Sequence, residues 1–192
     1  MKKQKNKGIK IEGQRIYLKI LTEQNATPEY CAWLNDKIVN QYLETRKATI
    51  VGLKKYIKEK NNNPNCLFLG IFFKKKQIHI GNIKLEPIDF ENSKATIGML
   101  IGAKDFWGKG IGTEAIKLLV DYGFKNLNLK EINLGVISEN KVAIKVYKKV
   151  GFKINSIEKE PIEHDNKLFD AIMMSIKNEK YAKQDLIKNF EL

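Results

Sequence analysis

The sequence predicts an α/β protein with one mixed β-sheet of about seven strands and about four flanking helices. Several short segments alternate apolar and polar residues, as half-buried strands do. Residues 94–102 predict a strand, a helix follows a glycine-rich turn, and residues 131–137 predict another strand. Such a crossover is right-handed and makes its two strands parallel. Strands over 66–73 and 77–86 flank a KKKQ turn, which predicts an antiparallel hairpin and makes the sheet mixed.

Residues 9–176 predict a single domain, because no internal repeat or linker-like tract divides them. Residues 1–8 form a basic lead-in that we expect to be disordered. Residues 177–192 are a charged tail whose loosely spaced apolar residues permit a short surface helix.

The first half of the domain predicts one strand and then two helices. Residues 9–21 alternate as one half-buried strand. Pro28 after Thr27 is typical of a helix start, and this first helix ends near Asn35. A second helix covers 49–60. His79 falls inside the later strand 77–86, where a lone histidine is most often structural, and it is given no role.

The second half continues with the glycine-rich turn, its helix and the strand 131–137. A polar SEN segment opens a further helix, KVAIKVYKKV, and Gly151 closes that helix as a left-handed cap. Two more strands, 152–159 and 168–177, complete the sheet, separated by a polar loop.

Composition excludes several classes of protein. The chain has 192 residues and a formal net charge of +13, but its lysines are spread throughout and very few of its 35 basic residues are arginines. Since Arg is preferred for base and phosphate recognition, we expect no nucleic-acid partner. No apolar run reaches the length of a membrane span. The two cysteines, Cys31 and Cys66, are too few for a disulfide framework or a zinc site, which favours a reduced cytoplasmic location and no metal.

The stretch DFWGKGIGTEA over 105–115 carries the strongest functional signal. Gly108, Gly110 and Gly112 leave the backbone open to a ligand, and the amides that open the next helix lack partners within it. Such a turn binds phosphate groups. It is not a P-loop, and Thr113 stands where the dinucleotide fingerprint GxGxxG requires glycine.

The spacing Trp107-x-x-Gly110-x-Gly112 resembles the pyrophosphate loop of the GNAT superfamily of acyl-CoA N-acyltransferases, which usually has Arg or Gln at the first position. Tryptophan at this position resembles the branch of the superfamily that acetylates ribosomal-protein N-termini, polyamines and sugar amines. ENKVAIKVYKKVGF over 139–152 resembles the second GNAT signature, an Asn before a helix that carries a Tyr and ends in Lys-x-Gly-Phe. These residues are Asn140 and Tyr147, which lie two turns apart on one helical face.

The resemblance implies that the sheet splays open between the strands 94–102 and 131–137, and that acetyl-CoA lies in this gap as co-substrate. Its pantetheine would pair with the first strand like an added strand, its pyrophosphate would bind the amides of the glycine loop, and Lys109 would add charge. Asn140 would cap its helix and bond the pantetheine amides. The implied cofactor-binding residues are Leu100, Ile101, Gly102, Trp107, Gly108, Lys109, Gly110, Ile111, Gly112, Thr113 and Asn140.

The implied reaction is direct attack of a primary amine on the thioester, with Tyr147 protonating or hydrogen-bonding the departing thiolate. Family members often carry a general base in the segment AEIG, but this chain has Thr96 in place of that Glu. Glu86, at the end of the preceding strand, is the substitute that topology suggests. A water chain to bulk solvent is the alternative.

Tyr42 and Arg46, in the loop between the first two helices, are the candidate acceptor-binding residues. WLND followed by VNQYLETR is similar to GNAT members that acetylate nucleotide-linked amino sugars. The alternatives are acetylation of protein N-termini, as for ribosomal proteins, and a non-catalytic acyl-CoA-binding domain. A homodimer is compatible with the resemblance.

Overall fold

The computed structural model describes residues 8–43, 47–164 and 167–179. Within these ranges eight strands form one mixed sheet in the spatial order β1-β2-β3-β4-β5-β6-β8-β7, and four α-helices cover its faces. The predicted α/β class with a mixed sheet is therefore confirmed. In chain order the elements are β1 (Lys10–Glu12), β2 (Ile16–Ile20), α1 (Pro28–Asn35), α2 (Ile50–Asn62), β3 (Leu67–Phe73), β4 (Ile78–Asp89), β5 (Lys94–Ile101), α3 (Ile111–Asn126), β6 (Glu131–Ile137), α4 (Lys141–Val150), β7 (Lys153–His164) and β8 (Lys167–Lys177).

The predicted single strand over 9–21 is wrong, because the chain reverses within it. The Gly13 amide donates to the Ile16 carbonyl at 2.9 Å and closes a turn, so that β1 and β2 pair antiparallel. A side chain at Gly13 would meet the Glu114 carboxylate at 2.7 Å, so this turn lies against α3. Alternation alone gave no sign of the turn, and the sheet has eight strands in place of about seven.

The sheet opens between its two parallel strands. β5 and β6 pair over three residues only, from Lys94↔Glu131 to Thr96↔Asn133. Beyond that point β5 stays with β4 as far as Ile101, while β6 stays with β8 as far as Ile137. Each strand therefore keeps its outer neighbour, and the two halves of the sheet diverge, as expected.

Two hydrophobic cores lie on opposite faces of the sheet. α3 and α4 pack on one face, through residues such as Ile116 and Leu119, against alternate sheet residues. α1 and α2 pack on the other face, where Leu53 and Ile57 contact Phe68 and its neighbours. Successive residues of a strand point to opposite faces, so β3 and β5 each supply both cores. None of the helices in the described ranges has the length and apolar character of a membrane span.

Candidate active site

The glycine loop turns sharply between β5 and α3. Gly108 has φ of 70° and Gly110, the N-cap of α3, has φ of 75°. Both values lie in the left-handed region, which a residue with a side chain enters at a cost. Gly112 serves a different purpose, since a Cβ there would lie 3.0 Å from the Met99 methyl group. This glycine lets the first turn of α3 approach β5 closely.

The amides of residues 108–113 are available to a ligand. The first backbone hydrogen bond of α3 runs from the Glu114 amide to the Gly110 carbonyl, 3.1 Å away. Across the described ranges, none of the six preceding amides donates to a protein atom. They lie at the positive end of a 16-residue helix. Together these features make an anion-binding surface.

Arg15 fixes this loop from outside and was missed by the sequence analysis. Its Nη1 donates to the Lys109 carbonyl at 2.7 Å, and its Nε donates to Glu114 Oε2 at 2.9 Å. The backbone amides of Arg15 and Ile16 donate to the other oxygen of Glu114. Burial acts to raise the pKa of Glu114, but the donated hydrogen bonds and the guanidinium hold it below its ordinary value. The β1–β2 turn that holds Arg15 was itself unpredicted.

The end of β5 places its backbone groups differently from the prediction. The Gly102 amide donates to the Ile80 carbonyl of β4 at 3.0 Å, so Gly102 faces away from the gap. Backbone groups alternate in direction along a strand, hence those of Leu100 also face β4. The Ile101 carbonyl accepts from the Trp107 indole at 2.8 Å. The groups that face the gap are the Ile101 N–H and the backbone of Met99, a residue that the sequence analysis did not name.

Gly102 is a glycine because α1 packs on it. A Cβ there would lie 2.1 Å from the Trp33 indole. One turn along α1, the Asp36 carboxylate at the helix end accepts from Lys104 Nζ at 2.7 Å. Contacts with α1 therefore fix the position of residues 102–104, which lead into the glycine loop.

Tyr147 lies in α4 with its ring buried and its hydroxyl without a described hydrogen-bond partner. The residue is 8% exposed, and its ring packs edge-on against Phe152 at 5.5 Å. Every fully buried side-chain polar atom among the described residues has a hydrogen-bond partner, yet the Tyr147 hydroxyl bonds to none of these residues. Its oxygen must therefore reach the solvent-accessible surface. Burial of the ring raises the pKa of Tyr147 to about 12.

Asn140 is the N-cap of α4, as expected. Its side-chain oxygen accepts from the Ala143 amide at 3.1 Å. Because this bond uses the oxygen, the amide nitrogen of Asn140 is the group left for a ligand.

Glu86 is held between two lysines. Lys60 Nζ lies 2.6 Å from both of its oxygens, and Lys84 Nζ lies 2.7 Å from Oε2. Burial acts to raise the pKa of Glu86, but these two ammonium groups outweigh it and lower the pKa. A general base for an amine needs the opposite shift, so this environment argues against the predicted role.

Tyr42, after α1, contacts the segment that precedes α4. The Tyr42 hydroxyl donates to the Glu139 carbonyl at 3.4 Å, next to the N-cap of α4. Arg46, the other predicted acceptor residue, lies outside the described residues. His79 packs among Tyr30, Trp33 and Phe72 with ring centroids 5.1–5.4 Å away, consistent with a structural residue. Among the described residues no three His, Cys, Asp or Glu side chains are grouped as metal ligands.

Comparisons with known proteins agree on one family. The model of the acetyltransferase (GNAT) domain matches residues 15–153. An uncharacterized N-acetyltransferase, p20 of Bacillus licheniformis, is 30% identical, with 79% of this chain and 87% of that protein covered. Spermidine N-acetyltransferase from Vibrio cholerae, solved with CoA and spermine, superposes with a TM-score of 0.79 at 22% identity over 88% and 98% of the two chains. The microcin C7 self-immunity acetyltransferase MccE, solved with acetyl-CoA and AMP, gives 0.76 at 24% identity over 86% and 93%.

Proposed function

The chain belongs to the GNAT acetyltransferase family, and from this premise we propose that it transfers an acetyl group from acetyl-CoA directly to a primary amine of a small molecule. The observation that carries the proposal is a pair of groups without a hydrogen-bond partner among the described residues: the amides of 108–113 at the start of α3, and the hydroxyl of Tyr147 in α4. We place both at the gap between β5 and β6.

The amides of residues 108–113 would bind the pyrophosphate of acetyl-CoA, since they combine free N–H donors with the positive end of α3. The pantetheine would then run along the open side of β5. There it would pair with the backbone of Met99 and the N–H of Ile101, in the way a peptide adds to a sheet edge. This route brings the thioester toward the point where β5 and β6 part.

The chemistry requires an attack, an oxyanion and a leaving thiolate. The neutral amine attacks the thioester carbonyl, the tetrahedral intermediate collapses, and the products are an N-acetyl amine and CoA thiol. Tyr147 would donate a hydrogen bond to the sulfur as negative charge develops there. A pKa of about 12 keeps this phenol protonated at every physiological pH, so it is always ready to donate.

The proton of the amine would leave through water. Glu86 is already neutralised by two lysines, and Thr96 supplies no carboxylate at the position where relatives carry one. A water chain along the open cleft serves both the amine and the thiolate, and needs no covalent enzyme intermediate. We place the reaction in the cytoplasm, where thiols stay reduced and acetyl-CoA is made.

For the acceptor we propose a nucleotide-linked amino sugar as the first candidate, from the segment around Tyr42. Two other amine classes compete with it. The similarity to spermidine N-acetyltransferase favours a polyamine, and protein N-termini are the remaining alternative. The hydroxyl of Tyr42 bonds to the Glu139 carbonyl, and we infer that this contact narrows the acceptor end of the cleft, which favours a small acceptor over a peptide that must pass through.

The test is a panel of amines assayed for CoA thiol release, together with thermal unfolding with and without acetyl-CoA. We expect saturating acetyl-CoA to raise the Tm by mass action and at least one small amine to release thiol. Absence of any Tm shift at saturating acetyl-CoA contradicts the cofactor site. A shift with every amine inert, peptides included, would support the non-catalytic alternative.

A further inference from the structure

The sheet face under α1 and α2 is left partly uncovered where β5 and β6 part. Thr96 and Gly98 of β5 and Asn133 and Gly135 of β6 point to this face, opposite to the core residues that alternate with them. We call these four residues the acceptor floor. Gly98 is half-buried and Gly135 is exposed, each in the middle of its strand. The floor is therefore an open surface that small residues keep shallow.

One charged side chain lies over this floor. A Cβ placed on Gly98 would meet only Lys84, whose Cε lies 3.6 Å away. Lys84 projects from β4, next to the floor, and its side chain is 33% exposed. Its ammonium group bonds to Glu86, and a third of its side chain stays open to solvent.

The charge around Lys84 is net positive. Lys84 and Lys60 share the single carboxylate of Glu86, which is 14% exposed and also accepts from the Asn63 amide at 3.2 Å. Two positive charges and one negative charge leave a net charge of +1. Among the described residues Lys84 donates one hydrogen bond, to Glu86, and an ammonium has three N–H groups, so two have no partner in this part of the chain.

Two acidic residues in the loops next to α1 and α4, Asp36 and Glu139, have contacts of their own, with residues other than Lys84. Asp36 is paired with Lys104 at 2.7 Å. The Glu139 carboxylate accepts from the Ser138 hydroxyl at 2.7 Å, at the start of α4 and on the far side of the gap from β4. Burial acts to lower the pKa of Lys84, but the hydrogen bond to Glu86 raises it, so the ammonium stays charged.

We propose that the acceptor carries an anionic group, a phosphate or a carboxylate, that binds Lys84 above Gly98 and so places the amine at the gap. This inference rests on the proposed function and narrows it. The two free N–H groups of Lys84 supply charge-assisted hydrogen bonds to that group. The same charge repels a polycation such as spermidine, and it disfavours the ammonium form of any amine brought close, which favours the neutral nucleophile.

The experiment compares amines matched except for charge: ethanolamine with O-phosphoethanolamine, glucosamine with its 1-phosphate and 6-phosphate, and an amino acid with its amide. Spermidine is the cationic member. Binding to the CoA-saturated protein is measured by calorimetry, and turnover by thiol release. We expect each anionic amine to bind about tenfold more tightly than its neutral partner, with the phosphate and carboxylate arms showing which anion is preferred.

Variants test whether Lys84 causes the preference for anionic amines. Lys84→Met should abolish the advantage of the anionic amines while leaving the KM for acetyl-CoA unchanged, and Lys84→Arg should retain much of it. Lys58→Met removes one charge from the exposed side of α2 and should change nothing. Glu86→Gln should increase the preference for anions, because it removes the neutralising carboxylate.

The outcomes separate this inference from the proposed function. Tighter binding or faster turnover of spermidine or of the neutral partners overturns the anionic acceptor while an acetyltransferase remains. Equal binding of matched partners overturns it as well, as does a loss in Lys84→Met that is the same for anionic and neutral amines. Failure of acetyl-CoA to bind would instead overturn the cofactor site.

Discussion

Arg15 and Glu114, which lie 99 residues apart in the chain, join the β1–β2 turn to the first turn of α3 through a backbone hydrogen bond and a hydrogen-bonded ion pair of their side chains. The same guanidinium also donates to the Lys109 carbonyl inside the glycine loop. Arg15 therefore ties the loop to the sheet and to the helix that follows it. Its role in our proposal is to position the loop amides.

Replacing Arg15 by Ala should weaken acetyl-CoA binding about tenfold and lower the free energy of unfolding by about 1–3 kcal/mol, because it leaves the carboxylate of Glu114 without its guanidinium. The KM for acetyl-CoA should rise more than kcat falls. Arg15→Lys keeps the charge but not the forked geometry, so it should recover only part of the affinity. Unchanged affinity in Arg15→Ala, measured by calorimetry, would remove the positioning role.

The stabilisation from Glu114 should depend on pH in a defined direction. Its pKa in the folded protein lies below the ordinary value of 4.5, so its contribution is present above pH 4.5 and is lost as the pH falls through the folded value. The Tm difference between the wild type and Glu114→Gln should be constant from about pH 5.5 to pH 7 and shrink below about pH 4.5. A difference that grows on acidification would contradict the ion pair.

The glycines of the loop should respond differently to alanine. Gly110→Ala should cost about 1–2 kcal/mol of stability, because its φ of 75° is unfavourable for a residue with a side chain. Gly110→Asn should cost less, since Asn tolerates this region. Gly112→Ala should leave the Tm nearly unchanged, because the contact that it creates is with the flexible end of Met99. Chemical unfolding of the three variants gives the order.

A negative charge at position 112 should weaken acetyl-CoA binding beyond the effect of added size, which meets Met99. Gly112→Glu brings a carboxylate next to the loop amides where we propose the pyrophosphate, and should abolish the rise in Tm that acetyl-CoA causes. Gly112→Gln is the matched control for size without charge. If both variants still respond fully to acetyl-CoA, the phosphate site lies elsewhere.

Tyr147→Phe should lower kcat by about 10²-fold or more, the usual size of a lost acid or hydrogen-bond donor. Acetyl-CoA affinity and Tm should stay nearly constant. The hydroxyl makes no hydrogen bond to any described residue, and the ring keeps its contact with Phe152. The kcat profile should show no limb attributable to Tyr147 below about pH 11, given the pKa of about 12. Loss of stability equal to the loss of activity would indicate a packing role.

Asn140 offers a test that separates its cap from any contact with the cofactor. Asn140→Asp keeps an oxygen for the Ala143 amide but removes the side-chain N–H donor. It should retain the Tm and lose affinity for acetyl-CoA. Asn140→Ala should lose about 1 kcal/mol of stability as well. If Asn140→Asp binds acetyl-CoA as the wild type does, Asn140 is a cap and nothing more.

The sequence was most informative where one local pattern sufficed. α1 and α4 begin and end close to their predicted positions, because Thr27, Asn140 and Gly151 act within a single turn of their helices. The parallel pair was predictable because strand, helix and strand succeed each other in the chain. Gly108 and Gly110 were predictable because few other residues take a left-handed φ.

Long-range contacts were beyond the reach of the sequence. Nothing in the segment around Arg15 indicates a partner 99 residues away. The two lysines that contact Glu86 come from α2 and β4. The lowered pKa of Glu86 therefore depends on how these two elements pack together. The predicted roles of Leu100, Ile101 and Gly102 depended on which backbone groups of β5 face the gap, and that prediction was off by one residue. The Gly102 amide bonds to the Ile80 carbonyl, and its Cα packs against Trp33.

The three residue pairs that join β5 to β6 leave the two halves of the sheet with little direct connection. β1–β5 and β6–β8 are then coupled mainly through the helices on their faces and through whatever fills the space between them. An acyl-CoA bound there would contact both halves of the sheet. Binding of the acetyl donor would then limit how far the two halves can move apart. Deuterium uptake at Val136 and Ile137 should then slow when the donor is bound, and quicken again once the spent coenzyme departs.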